Sequence, residues 1–311
     1  MKYKYVFGPV PSRRLGMSLG VDIMPHKTCT LDCIYCECGK TTNLTLDRKD
    51  YISETLICEE LNKILKSKPE LDYITFSGSG EPTLNKCIGN IINFLKYEYP
   101  EYKIALLTNG TQLYQDKVRQ SILTVDLVVA SLDAATEAVF NAINRPHSEL
   151  KLSKVIDGLI SFRKEFKNDF WVEFFVIPDI NDNDSELSEI RQLISRIKPD
   201  KIQLNTIDRP GTEHWVKPAD KKVLAFISSS LYNAEIIDLF DSKYNNKIIA
   251  GNNNKQILTT IKRRPCTAED VSQILGFDLE KVQNHLDSLV ERGEIKKKKM
   301  QRGLFYIAIK S

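Results

Sequence analysis

The strongest constraint on the fold is a repeated alternation of apolar segments with amphipathic segments. Six short segments have the nearly continuous apolar character of buried strands: Ser18–Ile23, Tyr73–Ser77, Lys103–Thr108, Leu127–Ser131, Trp171–Ile177 and Lys201–Asn205. Segments with helical spacing of apolar residues lie between them: Ile52–Ser67, Ile88–Tyr97, Leu152–Phe166 and Ser185–Ile197. This order predicts an α/β protein with a parallel sheet flanked by helices. Both a partial (β/α)6 TIM-like barrel and an open doubly wound sheet are compatible with it.

The distribution of unusual residues favours the barrel. Polar and glycine-rich segments follow several of the predicted strands directly, at the carboxyl edge where α/β proteins bind ligands. A loop that is rich in cysteine begins at Met24, immediately after the first predicted strand. We therefore expect the functional site at this edge of the sheet.

Three cysteines in that loop, Cys29, Cys33 and Cys36, have the spacing Cys-x3-Cys-x2-Cys. A structural zinc site normally has four ligands, and a disulfide framework needs paired cysteines in an oxidising compartment. Three thiolates in one loop can instead hold three irons of a four-iron cluster and leave the fourth iron without a protein ligand. Cys38 keeps a zinc site with four thiolates open as an alternative.

The composition favours a cytoplasmic protein. The chain has 7 cysteines, an odd number that argues for a reducing compartment. Its first residues lack the apolar segment of a secretory signal, and no apolar run approaches the roughly 20 residues of a membrane helix. We therefore expect no membrane association. The net charge of +3 identifies no particular partner.

The cysteine spacing, with Tyr35 directly before the third cysteine, resembles the signature of the radical S-adenosylmethionine (radical SAM) superfamily. The resemblance implies an iron-dependent, metal-binding oxidoreductase with a [4Fe-4S] cluster on Cys29, Cys33 and Cys36. It further implies that SAM binds the open iron, and that one electron cleaves SAM and releases a 5′-deoxyadenosyl radical. The electron donor would be a flavodoxin or a ferredoxin.

The same resemblance identifies a SAM pocket. The segment from Gly78 through Ser79 and Gly80 to Glu81 resembles the Gly-Gly-Glu-Pro segment whose backbone binds the SAM amino group. A simple turn into a helix at Pro82 is the alternative. The complete set of predicted cofactor-binding residues is Tyr35, Gly78, Ser79, Gly80, Glu81, Asn109, Ser131 and Asp133. No catalytic residue follows from the resemblance.

For two of these residues, strand geometry also indicates a role in ligand binding. Ser131 and Asp133 are one residue apart at the end of a predicted strand, so their side chains share a face and can point at one ligand. The resemblance assigns them to the ribose and carboxylate of SAM. Asp133 is equally compatible with the N-cap of a following helix.

The segments around the cysteine loop resemble one branch of the superfamily, the branch grouped with wyosine (tRNA-imidazoG) synthase. The resemblance rests on residues 7–20, 25–29 and 39–42 and extends over about residues 5–215. The wyosine enzymes have a further set of cysteines upstream, but no cysteine precedes Cys29 here. Arg13 and Arg14 can bind an anionic group or pair with surface carboxylates.

A polar stretch near residue 250 separates two predicted domains, 1–250 and 251–311. The second contains three predicted helices and two strands, which resembles a winged helix-turn-helix domain. Four consecutive lysines, Lys296–Lys299, lie in its hairpin and favour phosphate contacts. RNA is the predicted substrate. A peptide or protein docked by the winged helix, and a non-catalytic iron–sulfur sensor that binds DNA, are the alternatives.

Overall fold

The computed structural model describes residues 3–237 and 254–309. The strands are β1 (Val6–Ser12), β2 (Gly16–Val21), β3 (Thr28–Cys29), β4 (Asn43–Leu44), β5 (Tyr73–Phe76), β6 (Ile104–Thr108), β7 (Leu127–Ser131), β8 (Asp169–Phe175), β9 (Lys201–Asn205), β10 (Ala234–Ile236), β11 (Ile295–Lys299) and β12 (Leu304–Ala308). The α-helices are α1 (Glu54–Leu65), α2 (Ile88–Glu98), α3 (Asp116–Ile122), α4 (Glu137–Ile143), α5 (Leu152–Glu165), α6 (Asp184–Ile197), α7 (Lys221–Ser230), α8 (Asn254–Arg263), α9 (Ala268–Leu275) and α10 (Leu279–Glu291).

Eight strands form one mostly parallel sheet in the order β1-β2-β5-β6-β7-β8-β9-β10. Only β1 is antiparallel to its neighbour, and every other pair in this sheet is parallel. All six predicted strands are present, as β2 and β5 to β9. The prediction of an α/β fold is confirmed, and the sheet is consistent with a partial barrel.

The sequence did not indicate β1 or β10, which lie at the two ends of the sheet. β1 contains Pro9 and Pro11, which cannot donate hydrogen bonds to a neighbouring strand and therefore suit an edge position. β10 is only 3 residues long. The predicted domain boundary between residues 250 and 251 lies outside the described residues.

The two faces of the sheet bury different residues. The helices cover one face with apolar stripes, such as Ile57, Leu61 and Leu65 of α1. On the other face Leu15 packs in an apolar cluster with Leu127. The turn between β1 and β2 is therefore folded against the inner side of the sheet. No helix among residues 3–237 and 254–309 is long and apolar enough to cross a membrane.

A short pair of strands lies beside the main sheet. β3 and β4 are parallel, with Cys29 opposite Leu44. The amide of Thr45 donates to the Cys29 carbonyl at 2.9 Å. Both residues of β4 are exposed, so the backbone of Cys29 lies directly beneath a surface strand.

Residues 254–309, here called the C-terminal module, have their own apolar core. The elements occur in the predicted order: α8, α9, α10 and the hairpin of β11 and β12. Thr267 caps α9 in a reciprocal capping box with Asp270, and Gly276 ends that helix with a φ of 65°. Val10 of β1 packs against the module core, so the module lies against the edge of the main sheet.

Candidate functional site

The cysteine loop, residues 24–42, follows the carboxyl end of β2 and is held by the end of α4. The amide of Ile34 donates to the Ile143 carbonyl at 2.9 Å, and the amide of Asp32 donates to the Asn144 carbonyl at 3.0 Å. Ile34 is fully buried. These contacts fix the backbone between the three predicted ligands, so the loop has a defined conformation.

Each of the three predicted ligand thiols accepts a hydrogen bond from a nitrogen outside the cysteine triplet. Asn109 Nδ2 lies 3.5 Å from Cys29 Sγ, and Asn144 Nδ2 lies 3.5 Å from Cys33 Sγ. Lys27 Nζ lies 3.1 Å from Cys36 Sγ. Such donors favour the negatively charged thiolate, and N–H···S bonds are among the features that tune iron–sulfur clusters. The residues present therefore fit a cluster ligated by three thiolates.

Lys27 is unusual because it is a buried lysine, with 3 % of the residue exposed. Burial alone would lower the pKa of Lys27, but the neighbouring Cys36 sulfur outweighs this effect and the pKa is raised. Lys27 therefore places a positive charge beside the thiol. Lys27 was not predicted to have this role, since a single lysine before the cysteines carries no distinctive signal in the sequence.

The protonation of the thiols differs within the triplet. Burial raises the pKa of Cys29 to about 12 and holds that of Cys33 well above its usual value. The hydrogen bond from Cys38 and the charge of Lys27 lower the pKa of Cys36 to about 6, although burial opposes them. Metal ligation at Cys29 and Cys33 would therefore release protons.

The fourth thiol of the loop, Cys38, donates a hydrogen bond to the Cys36 sulfur. Its Sγ also lies 3.8 Å from the Gly78 carbonyl and 3.7 Å from the Arg263 carbonyl of the C-terminal module. Cys38 thus lies where the cysteine loop, the glycine segment and the module meet.

The glycine segment, residues 78–81, packs directly on the cysteine loop. A Cβ atom on Gly80 would lie 2.2 Å from the Thr28 carbonyl oxygen, and one on Gly78 would lie 2.2 Å from the Asp22 carboxylate. At Gly80 the obstacle is backbone, so only glycine permits this approach, whereas at Gly78 a side chain would have to displace the Asp22 carboxylate. Ser79 donates its amide and its hydroxyl to Asp22 Oδ2, at 3.1 and 2.8 Å.

Glu81 connects the glycine segment to the end of β6. Its Oε1 accepts hydrogen bonds from the Thr83 amide at 3.0 Å, the Thr83 hydroxyl at 2.6 Å and the Thr108 hydroxyl at 2.7 Å. Its Oε2 accepts from the Asn109 amide at 2.8 Å. Burial raises the pKa of Glu81 even though these donors oppose it. The carboxylate therefore holds Asn109, and with it the donor to Cys29.

Asp133, just beyond β7, holds the aromatic residue of the cysteine loop. Its Oδ2 accepts from the Tyr35 hydroxyl at 2.6 Å and from Asn144 Nδ2 at 2.7 Å, and its Oδ1 accepts from the Phe175 amide at 3.1 Å. The rings of Tyr35 and Phe175 are stacked 3.9 Å apart. Burial raises the pKa of Asp133 to about 6. Asp133 is not the N-cap of α4, since Thr136 occupies that position.

The predicted SAM residues are brought together at the carboxyl edge of the sheet. Asn109, Ser131 and Asp133 line one narrow cavity together with Asn144. Gly78 to Glu81 lie on the other side of Asn109 through the Glu81 contact. Asn144 was not predicted; it is the C-cap of α4, and a C-cap asparagine carries no signal of a functional role.

The two arginines before β2 both pair with carboxylates that are not exposed. Arg14 Nη2 donates to Glu173 Oε1 at 2.7 Å, and Asn205 Nδ2 donates to the same oxygen at 2.8 Å. Burial alone would raise the pKa of Glu173, but Arg14 outweighs it and holds the pKa below its usual value. Arg13 lies 3.8 Å from Asp208. The carboxylates are therefore internal rather than on the surface.

A comparison with known protein families shows which family the chain belongs to. A family model described as the radical SAM superfamily matches residues 23–194. The chain belongs to the radical SAM superfamily. Members of this superfamily use a [4Fe-4S] cluster and SAM, and the chain is accordingly an enzyme.

Similar proteins cover most of this radical SAM chain. A protein of Brachyspira hyodysenteriae named GTPase Obg is 36% identical over 98% of the chain, but the chain spans only 45% of that protein. A UPF0026 protein of Methanocaldococcus jannaschii is 31% identical over 97% of the chain and 95% of its own length. The crystal structure of a radical SAM methyltransferase from Sphaerobacter thermophilus shares the fold, with a TM-score of 0.57, 15% identity and coverage of 70% of this chain and 65% of that chain.

Proposed function

We propose that Cys29, Cys33 and Cys36 hold the [4Fe-4S] cluster of this radical SAM enzyme. The observation that carries the proposal is the nitrogen donor found at each of these three thiols. When bound and reduced by a flavodoxin or ferredoxin, such a cluster supplies the electron that cleaves SAM to methionine and a 5′-deoxyadenosyl radical, which takes a hydrogen atom from the substrate.

The chain's own residues would bind and orient SAM beside these thiols. We assign the SAM pocket to Gly78, Ser79 and Gly80, whose backbone lies against the cysteine loop, and to the cavity lined by Asn109 and Ser131. Three further residues, Tyr35, Glu81 and Asp133, have side chains engaged in buried or partly buried hydrogen bonds. We propose that these three act chiefly by positioning the loop and Asn109.

An anaerobic reconstitution with iron and sulfide tests the cluster assignment. We expect the wild-type chain and a Cys58→Ser control, altered in α1, to bind about four irons, and a Cys29→Ala variant to lose the cluster. Dithionite and SAM should then yield 5′-deoxyadenosine with the first two proteins only. Retention of the cluster and of SAM cleavage by Cys29→Ala would contradict the assignment.

We further propose that residues 251–311 form a winged helix-turn-helix domain, that the substrate is RNA, and that the C-terminal module binds this RNA. Three hairpin lysines support this proposal: Lys296, Lys298 and Lys299 form no ion pair with a described residue. Lys297 differs, because its Nζ lies 2.8 Å from Asp287. Three unneutralised cations on one hairpin suit a phosphate backbone. We also propose that the chain belongs to the wyosine branch of the superfamily and is located in the cytoplasm.

The salt dependence of binding tests the substrate class. Bulk transfer RNA serves as the probe, with the three free hairpin lysines changed to glutamine in one variant. We expect this change to reduce the slope of log affinity against log salt by about 2 to 3, because each phosphate contact contributes about 0.7 to 0.9. The matched control changes three exposed lysines at and before α7: Lys217, Lys221 and Lys222. An equal slope in both variants would contradict the RNA interface and favour a docked peptide or protein.

A further inference from the structure

The loop after β9 touches the cysteine loop at three successive residues. We call residues 208–213 the bridging loop. The Glu213 amide donates to the Ile34 carbonyl at 2.9 Å, and the Thr212 hydroxyl donates to the Cys36 carbonyl at 3.2 Å. Between them, a Cβ atom on Gly211 would lie 2.7 Å from the Tyr35 carbonyl oxygen. A shift of the bridging loop would therefore move the backbone around Cys36.

The other side of the bridging loop is attached to the C-terminal module. Arg209 is completely buried, and its Nη1 donates to the Pro265 carbonyl at 2.8 Å and to Asp270 Oδ2 at 2.7 Å. Asp208 lies 3.0 Å from Nε of Arg302 in the module hairpin. Arg302 is thus held by ion pairs inside the protein, unlike the neighbouring hairpin lysines Lys296, Lys298 and Lys299.

These contacts form one chain of alternating charges that ends at the cysteine loop. Arg302 donates to both oxygens of Asp270, each at 2.8 Å. Arg209 Nε lies 3.7 Å from Glu37, the residue after Cys36. The order of the six charges is Glu37, Arg209, Asp270, Arg302, Asp208 and Arg13.

Such a chain favours one placement of the module over others. Buried ion pairs add little stability compared with apolar packing, but the loss of one partner leaves a buried charge uncompensated. Three positive and three negative groups are balanced only when the module and the bridging loop meet in this arrangement. Burial alone would raise the pKa of Asp270, but Arg302 and Arg209 outweigh it and hold the pKa far below its usual value.

We propose that Arg209 is a positioning residue through which the C-terminal module fixes the backbone of Cys36 and so sets the rate of SAM cleavage. Arg209 acts through the bridging loop and takes no part in electron or hydrogen transfer. The effect on SAM cleavage rests on the proposed assignment of Cys36 as a cluster ligand. The effect on the cysteine loop does not, because the contacts exist in the polypeptide alone.

Hydrogen–deuterium exchange of the metal-free full chain tests the positioning directly. The variants are Asp270→Asn in the module and the conservative Arg209→Lys. Both should exchange the amides of residues 34–39 at least tenfold faster than wild type. The matched control is Asp200→Asn, which breaks the partly exposed pair with Arg163, 2.9 Å apart and on another surface. It should leave those amides unchanged. Equal protection of residues 34–39 in all four proteins would overturn the proposal.

The second measurement uses the same proteins after reconstitution with iron and sulfide. We expect Asp270→Asn and Arg209→Lys to keep the wild-type iron content, to shift the electron paramagnetic resonance spectrum of the reduced SAM complex, and to form 5′-deoxyadenosine about tenfold more slowly. The rate of 5′-deoxyadenosine formation in the double variant should be no lower than in either single variant, because both substitutions act through the contact between Arg209 and Asp270. An unchanged rate with faster exchange would overturn the link to SAM cleavage. Failure of the wild type to bind iron would instead refute the cluster assignment, and would leave the exchange result standing.

Discussion

Replacement of Glu81 by glutamine removes the carboxylate that holds the glycine segment to the end of β6. If the amide oxygen keeps the position of Oε1, the new NH2 group faces the Asn109 amide, which donates to Oε2 at 2.8 Å. One hydrogen bond to a charged acceptor is lost, at about 1.5–3 kcal/mol, and a buried donor is left unsatisfied, at about 1–3 kcal/mol. We therefore expect the free energy of unfolding to fall by roughly 2.5–6 kcal/mol. This is a large fraction of the about 5–15 kcal/mol that is typical of folded proteins.

Two measurements on Glu81→Gln separate lost stability from lost function. Chemical denaturation of the metal-free chain gives the free energy of unfolding, and SAM titration of the reconstituted chain gives the affinity. The matched control is Glu186→Gln, since Glu186 is also buried and accepts from the Thr136 amide and hydroxyl at 3.1 and 2.9 Å. The control should be destabilised but should still bind SAM. A loss below about 1 kcal/mol in Glu81→Gln, with unchanged SAM affinity, would refute this account of Glu81.

Three further substitutions test separate contacts. Tyr35→Phe keeps the ring stacking but removes the 2.6 Å hydrogen bond to Asp133. The free energy of unfolding should therefore fall by about 1.5–3 kcal/mol in denaturant titrations. No change would contradict a stabilising hydrogen bond at this position. Gly80→Ala places a Cβ atom 2.2 Å from the Thr28 carbonyl oxygen, so reconstitution should give a sharply reduced iron content. A full complement of iron would show that the glycine segment and the cysteine loop can separate. The pKa of Asp270 is depressed in the folded chain, so the ionised carboxylate stabilises the fold fully above its unfolded pKa of about 4. This stabilisation is lost as the pH falls below that value. The melting temperature of Asp270→Asn should therefore depend less steeply on pH between about 5 and 3 than that of wild type, and parallel curves would exclude this linkage.

The sequence predicted the elements that are long and regular, and missed those that depend on tertiary contacts. The strand Leu127–Ser131 is found with identical bounds because its continuous apolar character needs no further context. Helices α3 and α4 have 7 residues each, too few to establish a helical period. Strand β1 was hidden by its prolines, which are acceptable only because this strand lies at an edge.

At the site, the sequence identified residues by motif but not by the contacts that hold them. The cysteines and glycines have fixed spacing, so a local pattern reveals them. Lys27 and Asn144 supply the donors to two of the thiols, but neither has a spacing that distinguishes it from an ordinary polar residue. Likewise Asp133 was predicted as a SAM contact, whereas the hydrogen bond that it accepts from Tyr35 depends on the placement of β7 beside the cysteine loop.

The exposed strand β4 leaves only a short distance for electrons between the protein surface and Cys29. Parallel strands lie about 4.8 Å apart, and the Thr45 amide already bridges that gap to the Cys29 carbonyl at 2.9 Å. A redox carrier that rests on Asn43 and Leu44 would be separated from the cysteine backbone by one layer of polypeptide. Electron delivery along this route would not compete for space with a substrate that enters over the carboxyl ends of the central strands.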